Sequence, residues 1–386
     1  MKELRNIAIV GRAHPYRGGA ALFNEHVRET LAERFAVNLY TFKFLLPKFL
    51  YPESTLLDPS KETMRANPAE RLIHSFLPWS WRRAARRILE SRPDVIAFDW
   101  WSPVAAFAYA SIAKAAKRRG ETTILFMAHT VPSSRGAWLR RALTKLAMKR
   151  ADCFLALSGK VQNDLAELFA DKKTFRSELP VIDFAKLGAR RPKDLKKELG
   201  FEDRHKIVLF FGHAQREKGL DLLIEAFAEL VKDDPDFRLL VVGEPLGFEH
   251  EYEALVAKRR LEKYVFKHDE FVPNEEVGEF FAAADLVALP YREATQSGTL
   301  NMAYNFNKPV VATDVEGLTE FVEDGKTGVV VEPNDPDAIA EGVRRYYALK
   351  RSVDFASHIR RRVSENAFNR LPEVFETIFR ETPPTS

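Results

Sequence analysis

The sequence predicts an α/β protein of two doubly wound domains, and three observations carry that prediction. Short apolar runs that read as parallel strands alternate with amphipathic helix patterns through both halves of the chain. At 386 residues the chain exceeds what one ordinary core supports. The alternation breaks once, after Pro180, in a stretch rich in Pro, Gly and charge, and it restarts at Lys206. The expected division is residues 1–184 as a first Rossmann-like domain and 185–360 as a second. Residues 361–386 are expected to form a helix and tail packing back toward the first, with a ligand cleft between the two domains.

In the first half, Asn6–Val10 is an apolar strand ending at Gly11. A loop with Gly18-Gly19 then leads into a helix with apolar residues at Leu22, Val27 and Leu31. Strand, glycine loop and helix follow one another as in a nucleotide-binding unit. The loop is not G-x-G-x-x-G, so a phosphate contact and a plain tight turn both stay open. Ala36–Phe42 gives the next strand. Thr123–Ala128 is an apolar strand that delivers His129 at its C-terminal end, the ligand-binding edge of open α/β sheets; a structural and a functional role are both open for it. Asp99 ends its own strand similarly and could face the same edge. Asp94, Asp152 and Asp285 each stand just before an apolar run and read as helix-to-strand boundary residues rather than catalysts.

Two helix patterns in this half, Trp79–Arg92 and Trp138–Arg150, set tryptophan beside clustered Arg and Lys. Basic amphipathic helices with interfacial tryptophan suit an anionic membrane surface; solvated basic helices are the plainer alternative. Met1 to Asp183 carries roughly 30 Lys+Arg against 18 Asp+Glu, whereas the remainder is acidic, so the first half is expected to face something anionic. The apolar region from Val95 to Ala113 contains Asp99 and a Ser102-Pro103 step, which read as a strand end and a helix start rather than a membrane span. One cysteine, Cys153, excludes an internal disulfide framework and fits a reducing compartment. No signal peptide is read at the N-terminus, and the expected location is cytoplasmic, with peripheral contact to the inner face of the cell membrane.

In the second half, Lys206–Phe211 is a strand, Gly212 to Gly219 a loop, and Leu220–Leu230 a helix with its stripe at Leu222, Leu223, Ala226, Phe227 and Leu230. Arg238–Val242 follows as a strand, Tyr252–Leu261 as a helix, and Val265–Val272 as an edge strand. The strand ending at Pro290 then turns through Thr295-Gln296-Ser297-Gly298 into a helix, and Pro309–Ala312 is the next strand. A Ser-Gly turn between a strand's C-terminal end and a helix start offers free N–H groups and the positive end of the helix dipole. A phosphate-bearing ligand suits that place.

Several segments of this half resemble the GT-B glycosyltransferases, specifically the large family-four group of retaining, nucleotide-sugar-dependent enzymes (glycosyl transferases group 1). The residues are Gly212 to Gly219, Phe271-Val272-Pro273, Ala284-Asp285, Lys308 to Thr313 and Glu323 to Gly328. The first half matches more loosely, through the Gly18-Gly19 loop, His129 and Ala156-Leu157-Ser158. The resemblance implies a metal-independent transferase whose second domain binds a nucleoside diphosphate-sugar, of the UDP or GDP class, and whose first domain binds the acceptor. Lys218 stands at the family's diphosphate-binding lysine. His213 replaces the family's arginine, so the second cation is Arg216 or is absent. The family's paired glutamates are missing: only Glu293 lies near the first position, one residue displaced, and Asn301 or Asn305 are the candidates near the second. Thr295-Gln296-Ser297-Gly298-Thr299 resembles a variant subgroup that carries this turn instead, with the backbone of Ser297, Gly298 and Thr299 gripping the diphosphate.

The site expected from this resemblance comprises His129, Lys218, Arg216 and Glu293 at the reacting centre. Gly18, Gly19, Gly212, Val272, Gln296, Ser297, Gly298 and Thr299 join Arg216 and Lys218 in holding the donor. No cofactor beyond the nucleotide-sugar, no metal motif and no nucleic-acid partner is expected. The acceptor is expected to be a glycan or a lipid-linked intermediate of cell-envelope polysaccharide or glycolipid synthesis. Three alternatives stay open: a non-catalytic nucleotide-sugar or glycan-binding protein, a nucleotide-sugar epimerase, and a phosphorylase.

Overall fold

The structure, a computed structural model, describes residues 3–46, 57–60, 69–132, 138–182, 195–245 and 247–384. The expected boundary at residues 184 and 185 lies outside them. The chain divides into two compact units: Met1–Pro59 with Met64–Pro180 and Ala367–Ser386, and Ser60–Thr63 with Val181–Asn366.

The first unit is built on seven strands: β1 (Asn6–Val10), β2 (Ala36–Phe44), β3 (Glu70–His74), β4 (Val95–Trp100), β5 (Thr123–Ala128), β6 (Cys153–Ala156) and β7 (Lys173–Arg176). They lie in the order β3-β2-β1-β4-β5-β6-β7, parallel throughout. Helices α1 (Gly19–Ala32), α2 (Pro78–Glu90), α3 (Ala106–Lys117), α4 (Trp138–Met148) and α5 (Gly159–Leu168) connect β1 to β2 and each strand from β3 onward to the next. Successive strand residues point to opposite faces, so both faces must be apolar where helices cover both. Ile96, Phe98, Phe126 and Phe154 pack on one face with Ala84, Tyr109 and Ala147 from α2, α3 and α4. Ile7, Ile9, Leu125 and Met127 pack on the other with Phe23 and Val27 of α1.

The second unit repeats the plan with six parallel strands: β8 (Lys206–Phe211), β9 (Phe237–Val242), β10 (Val265–His268), β11 (Leu286–Leu289), β12 (Val310–Thr313) and β13 (Gly328–Val331). Their order is β10-β9-β8-β11-β12-β13. Its helices are α6 (Leu195–Glu198), α7 (Leu220–Asp233), α8 (Glu249–Arg259), α9 (Val277–Ala283), α10 (Gly298–Asn305), α11 (Pro336–Leu349) and α12 (Phe355–Ser364). The chain ends in α13 (Leu371–Glu381), which buries Leu371, Phe375 and Ile378 in the first unit's core.

The three boundary aspartates do structural work. An Asp94 carboxylate oxygen accepts the N–H groups of Arg5 and Asn6 at the start of β1, each at 2.9 Å. Asp152 accepts from Ile124 at 2.7 Å and Asp285 from Ile207 at 2.8 Å. Each carboxylate satisfies an N–H at the start of a neighbouring strand. Element ends differ from expectation where local chemistry intervenes. The edge strand stops at His268, before the acidic pair Asp269-Glu270 and Pro273, which has no N–H for a ladder. The helix after Trp138 ends at Met148.

Candidate active site

In each sheet the chain order reverses once, between β1 and β4 and between β8 and β11. Connections diverge to opposite faces at such a reversal, which leaves a crevice at the carboxyl ends of the two strands where ligands bind.

In the second unit that place is lined by the loop after β8 and the loop after β11. Gly219 adopts a left-handed φ of 69°, and a Cβ there would meet the Pro290 carbonyl oxygen at 1.9 Å, so only glycine permits this close approach. Arg292 fastens the loops further. Its backbone N–H donates to the Glu217 carbonyl at 2.8 Å, and its guanidinium donates to the Arg216 carbonyl at 2.7 Å. The same guanidinium grips both Asp221 carboxylate oxygens at 2.8 and 2.7 Å. That pairing holds the Asp221 carboxyl below its ordinary value in spite of the burial that opposes ionisation.

Clamped in this way, the Lys218 ammonium lies 3.8 Å from the centre of the Tyr291 ring. The Tyr291 hydroxyl is 3.4 Å from Ser297 Oγ, which accepts the Leu300 N–H at 3.1 Å and so caps α10. Thr299 Oγ1 donates to the Phe211 carbonyl at 3.3 Å, and a Cβ on Gly212 would lie 3.6 Å from the same oxygen. Gly298 is exposed, with no atom near a would-be Cβ. Lys218, Gly212, Ser297, Gly298 and Thr299 therefore gather at one helix start, where an anion is favoured by charge and by N–H groups. The other expected residues are arranged less tightly. Arg216 is 74% exposed and 3.8 Å from Glu251, Glu293 is exposed, Gln296 is half-buried and Val272 is buried.

In the first unit, a Cβ on Gly11 would sit 2.6 Å from both Asn24 Nδ2 and the Asp99 Cβ. That absence lets Asn24 Nδ2 donate to Asp99 Oδ2 at 2.7 Å and to the Arg12 carbonyl at 2.8 Å. His129 Nε2 lies 2.7 Å from Asp99 Oδ1, and the His129 ring meets Phe23 edge-on at 4.5 Å. Arg12 stacks over Trp101 at 3.9 Å. Gly18 has φ 96° and stands at the start of α1, and Gly19 has open space around it.

From sequence, Asp99 is legible only as a strand-end residue that could face the same edge as His129, while Asn24, Tyr291 and the Arg292–Asp221 pair carry no local signal. Asp99 could have been found from its position, because β4 and β5 run in register and Trp100 pairs with Ala128 immediately before His129. Against the expectation of no metal motif, the chain does hold two Asp-x-Asp triplets, Asp234-Pro235-Asp236 and Asp335-Pro336-Asp337, and both are structural. Asp234 accepts the Asp236 N–H and bonds to Lys206, while Asp335 caps α11. Among the described residues no group of three His, Cys, Asp or Glu side chains could hold a metal ion.

Two wholly parallel sheets, each with one strand-order reversal, define an α/β protein of GT-B type, and comparisons with known proteins agree. HepE of Anabaena, solved in complex with UDP, aligns with a TM-score of 0.73 at 20% identity, covering 97% of this chain and 99% of that one. Sucrose-phosphate synthase of Thermosynechococcus elongatus aligns at 0.72 and 18% identity over 98% of both chains. Residues 17–175 match Glycosyltransferase Family 4 and residues 192–370 match Glycosyl transferases group 1. The two matches follow one another along the chain, the first lying within its first unit for the most part and the second largely within its second.

Among curated relatives, the alpha-D-kanosaminyltransferase of Streptomyces kanamyceticus is 30% identical over 254 residues, 64% of this chain and 60% of that protein. The D-inositol 3-phosphate glycosyltransferase of a Nocardioides species is 27% identical over 316 residues, 73% and 67% respectively. This chain spans between about a third and two thirds of the length of the curated relatives it matches.

Proposed function

We propose that this protein is a retaining, metal-independent glycosyltransferase that moves a sugar from a nucleoside diphosphate-sugar to a glycan or lipid-linked acceptor of the cell envelope. The observation that carries the reading is the meeting of Lys218 with the capped start of α10 at the strand-order reversal of the second sheet. The second domain takes the donor and the first, basic domain takes the acceptor. HepE was also solved with UDP-glucose, which favours a uridine donor here.

In this reading the bond between the anomeric carbon and the diphosphate oxygen breaks, and its electron pair stays on the diphosphate. The acceptor hydroxyl oxygen bonds to the same face of that carbon, and its proton passes to the departing phosphate oxygen. Lys218, with Arg216 as second cation, stabilises the charge that develops on the leaving group, as do the N–H groups of Gly298 and Thr299. His129, held by Asp99, and Glu293 are assigned to the transferred sugar, and Gln296 and Val272 to the donor. Gly18 and Gly19, at the open start of α1, join in holding the donor. Trp79 and Trp138, strongly exposed beside arginines, support peripheral contact with an anionic membrane.

A thermal-shift screen against UDP-, GDP-, ADP- and CMP-sugars tests the donor class, since a ligand of the native state raises the melting temperature with its saturation. Lys218→Ala is expected to weaken binding of the best nucleoside diphosphate about tenfold or more, from the loss of a charge-assisted contact. Unchanged affinity would remove the diphosphate assignment. The absence of the paired glutamates favours a second reading, a nucleotide-sugar-binding protein without turnover. Slow release of sugar from a bound donor in the absence of acceptor decides for the enzyme.

A further inference from the structure

Around the anion site the cations are held in different ways. Arg292 is committed to Asp221 through two contacts, and Arg216 faces Glu251. Lys218 instead rests on the Tyr291 ring, and among the described residues no carboxylate lies within ion-pair distance of it. The choice of partner matters where an anion must bind. A carboxylate that fixes a lysine also neutralises it, and an arriving phosphate has to displace it. An aromatic face attracts the ammonium through the ring quadrupole and leaves its charge uncompensated.

Tyr291 is built to serve as such a platform. It is 2% exposed, and its carbonyl accepts from Thr313 Oγ1 at 2.6 Å. The next residue's N–H is fastened to Glu217 in the loop that carries Lys218. Burial alone pushes the phenol up, but the Lys218 ammonium and hydrogen bonds with Ser297 and Thr299 outweigh it, and the net displacement is downward. The same ring thus touches the cation through its face and the helix cap through its hydroxyl.

We infer that Tyr291 is a positioning residue for phosphate binding: its ring face holds Lys218 uncompensated beside the start of α10, and its hydroxyl ties that ring to the Ser297 cap. This rests on the diphosphate reading of the site. The test is calorimetric titration of the full chain with UDP, comparing Tyr291→Leu, Tyr291→Phe, Lys218→Ala and the Lys218→Ala/Tyr291→Leu double variant. Tyr291→Leu is expected to weaken UDP binding about threefold to thirtyfold, and Tyr291→Phe to restore most of it. In the Lys218→Ala background the leucine should cost nothing further, because the ring acts through the lysine.

Leucine in this buried space can unfold the second unit, so a second series places progressively fluorinated phenylalanines at position 291. These keep the shape and drain electron density from the ring face, and affinity should fall step by step with fluorination. Equal losses from Tyr291→Leu in both backgrounds, or a flat fluorinated series, overturn the inference. Lys218→Ala binding UDP as well as the parent overturns the diphosphate reading itself. A weakened Lys218→Ala with a flat series overturns only the role of Tyr291.

Discussion

Glu25 and Arg28 meet at 2.7 Å inside the first unit, one turn apart on α1, and both are buried. Burial raises the Glu25 carboxyl from 4.5 to about 7, because Arg28 offsets only part of the desolvation. The folded protein therefore holds this proton more tightly than the unfolded chain. The resulting stability is fully present below pH 4.5 and is lost as pH rises through about 7, a span worth roughly 3 kcal/mol. All five tryptophans, Trp79, Trp81, Trp100, Trp101 and Trp138, lie in the first unit, so their fluorescence follows its unfolding selectively. Urea unfolding at pH 5 and pH 8 should show the first unit weakening at the higher pH, and Glu25→Gln should flatten that difference. The same pH dependence in both proteins would assign it to another group.

The chain's last helix makes the corresponding argument for an element. On α13, Leu371, Phe375 and Ile378 form one buried stripe at helical spacing, against Ile7, Ile9 and Leu125 of the sheet. Its outer face is tied by Arg34 to Glu373 and by Lys173 to Glu381, and the Thr382 carbonyl accepts from Thr123 at 3.0 Å. Exposed ion pairs of this kind contribute little, so the stripe carries the packing. Phe375→Ala should cost the first unit about 3–5 kcal/mol, read as an earlier tryptophan transition; a shift below about 1 kcal/mol would mean that the helix is dispensable there. Elements like this one show what was legible from sequence and what was not. Long apolar strands such as β4 and β5 announce themselves because helices cover both faces. The strands β3 (ERLIH), β7 (KTFR) and β13 (GVVV) are not legible, since they are short, lie at a sheet edge, and β3 and β7 are mostly polar. At the candidate site the loops and Lys218 were legible from local pattern. The Arg292–Asp221 clamp and the Lys218–Tyr291 contact were not, because each joins residues about 70 positions apart that only the sheet order brings together.

For the whole molecule, the uneven distribution of charge has a structural counterpart. No described helix is long and apolar enough to cross a membrane. α3 packs against both α2 and α4, and all three begin at the carboxyl edge of the first sheet. Their starts carry exposed apolar side chains: Trp79 at 68%, Phe107 at 53%, Trp138 at 79% and Leu139 at 52%. Arg82, Arg83 and Arg86 of α2 and Arg140, Lys145 and Lys149, in and just beyond α4, are exposed along the same helices. Neither α2 nor α4 has an acidic residue in its first turn. A cation near an anionic bilayer surface gains about 1 kcal/mol, and the gain is screened within about 10 Å at 0.1 M salt. Tryptophan adds an apolar anchor at the headgroup level that salt does not screen. The protein should therefore co-sediment with phosphatidylglycerol vesicles at low salt and only weakly with phosphatidylcholine vesicles. High salt should reduce the binding, and Trp79→Ala with Trp138→Ala should reduce the part that persists. Failure to sediment with anionic vesicles at low salt would leave these helices as a solvated basic face, and the acceptor would then have to reach the first domain from solution.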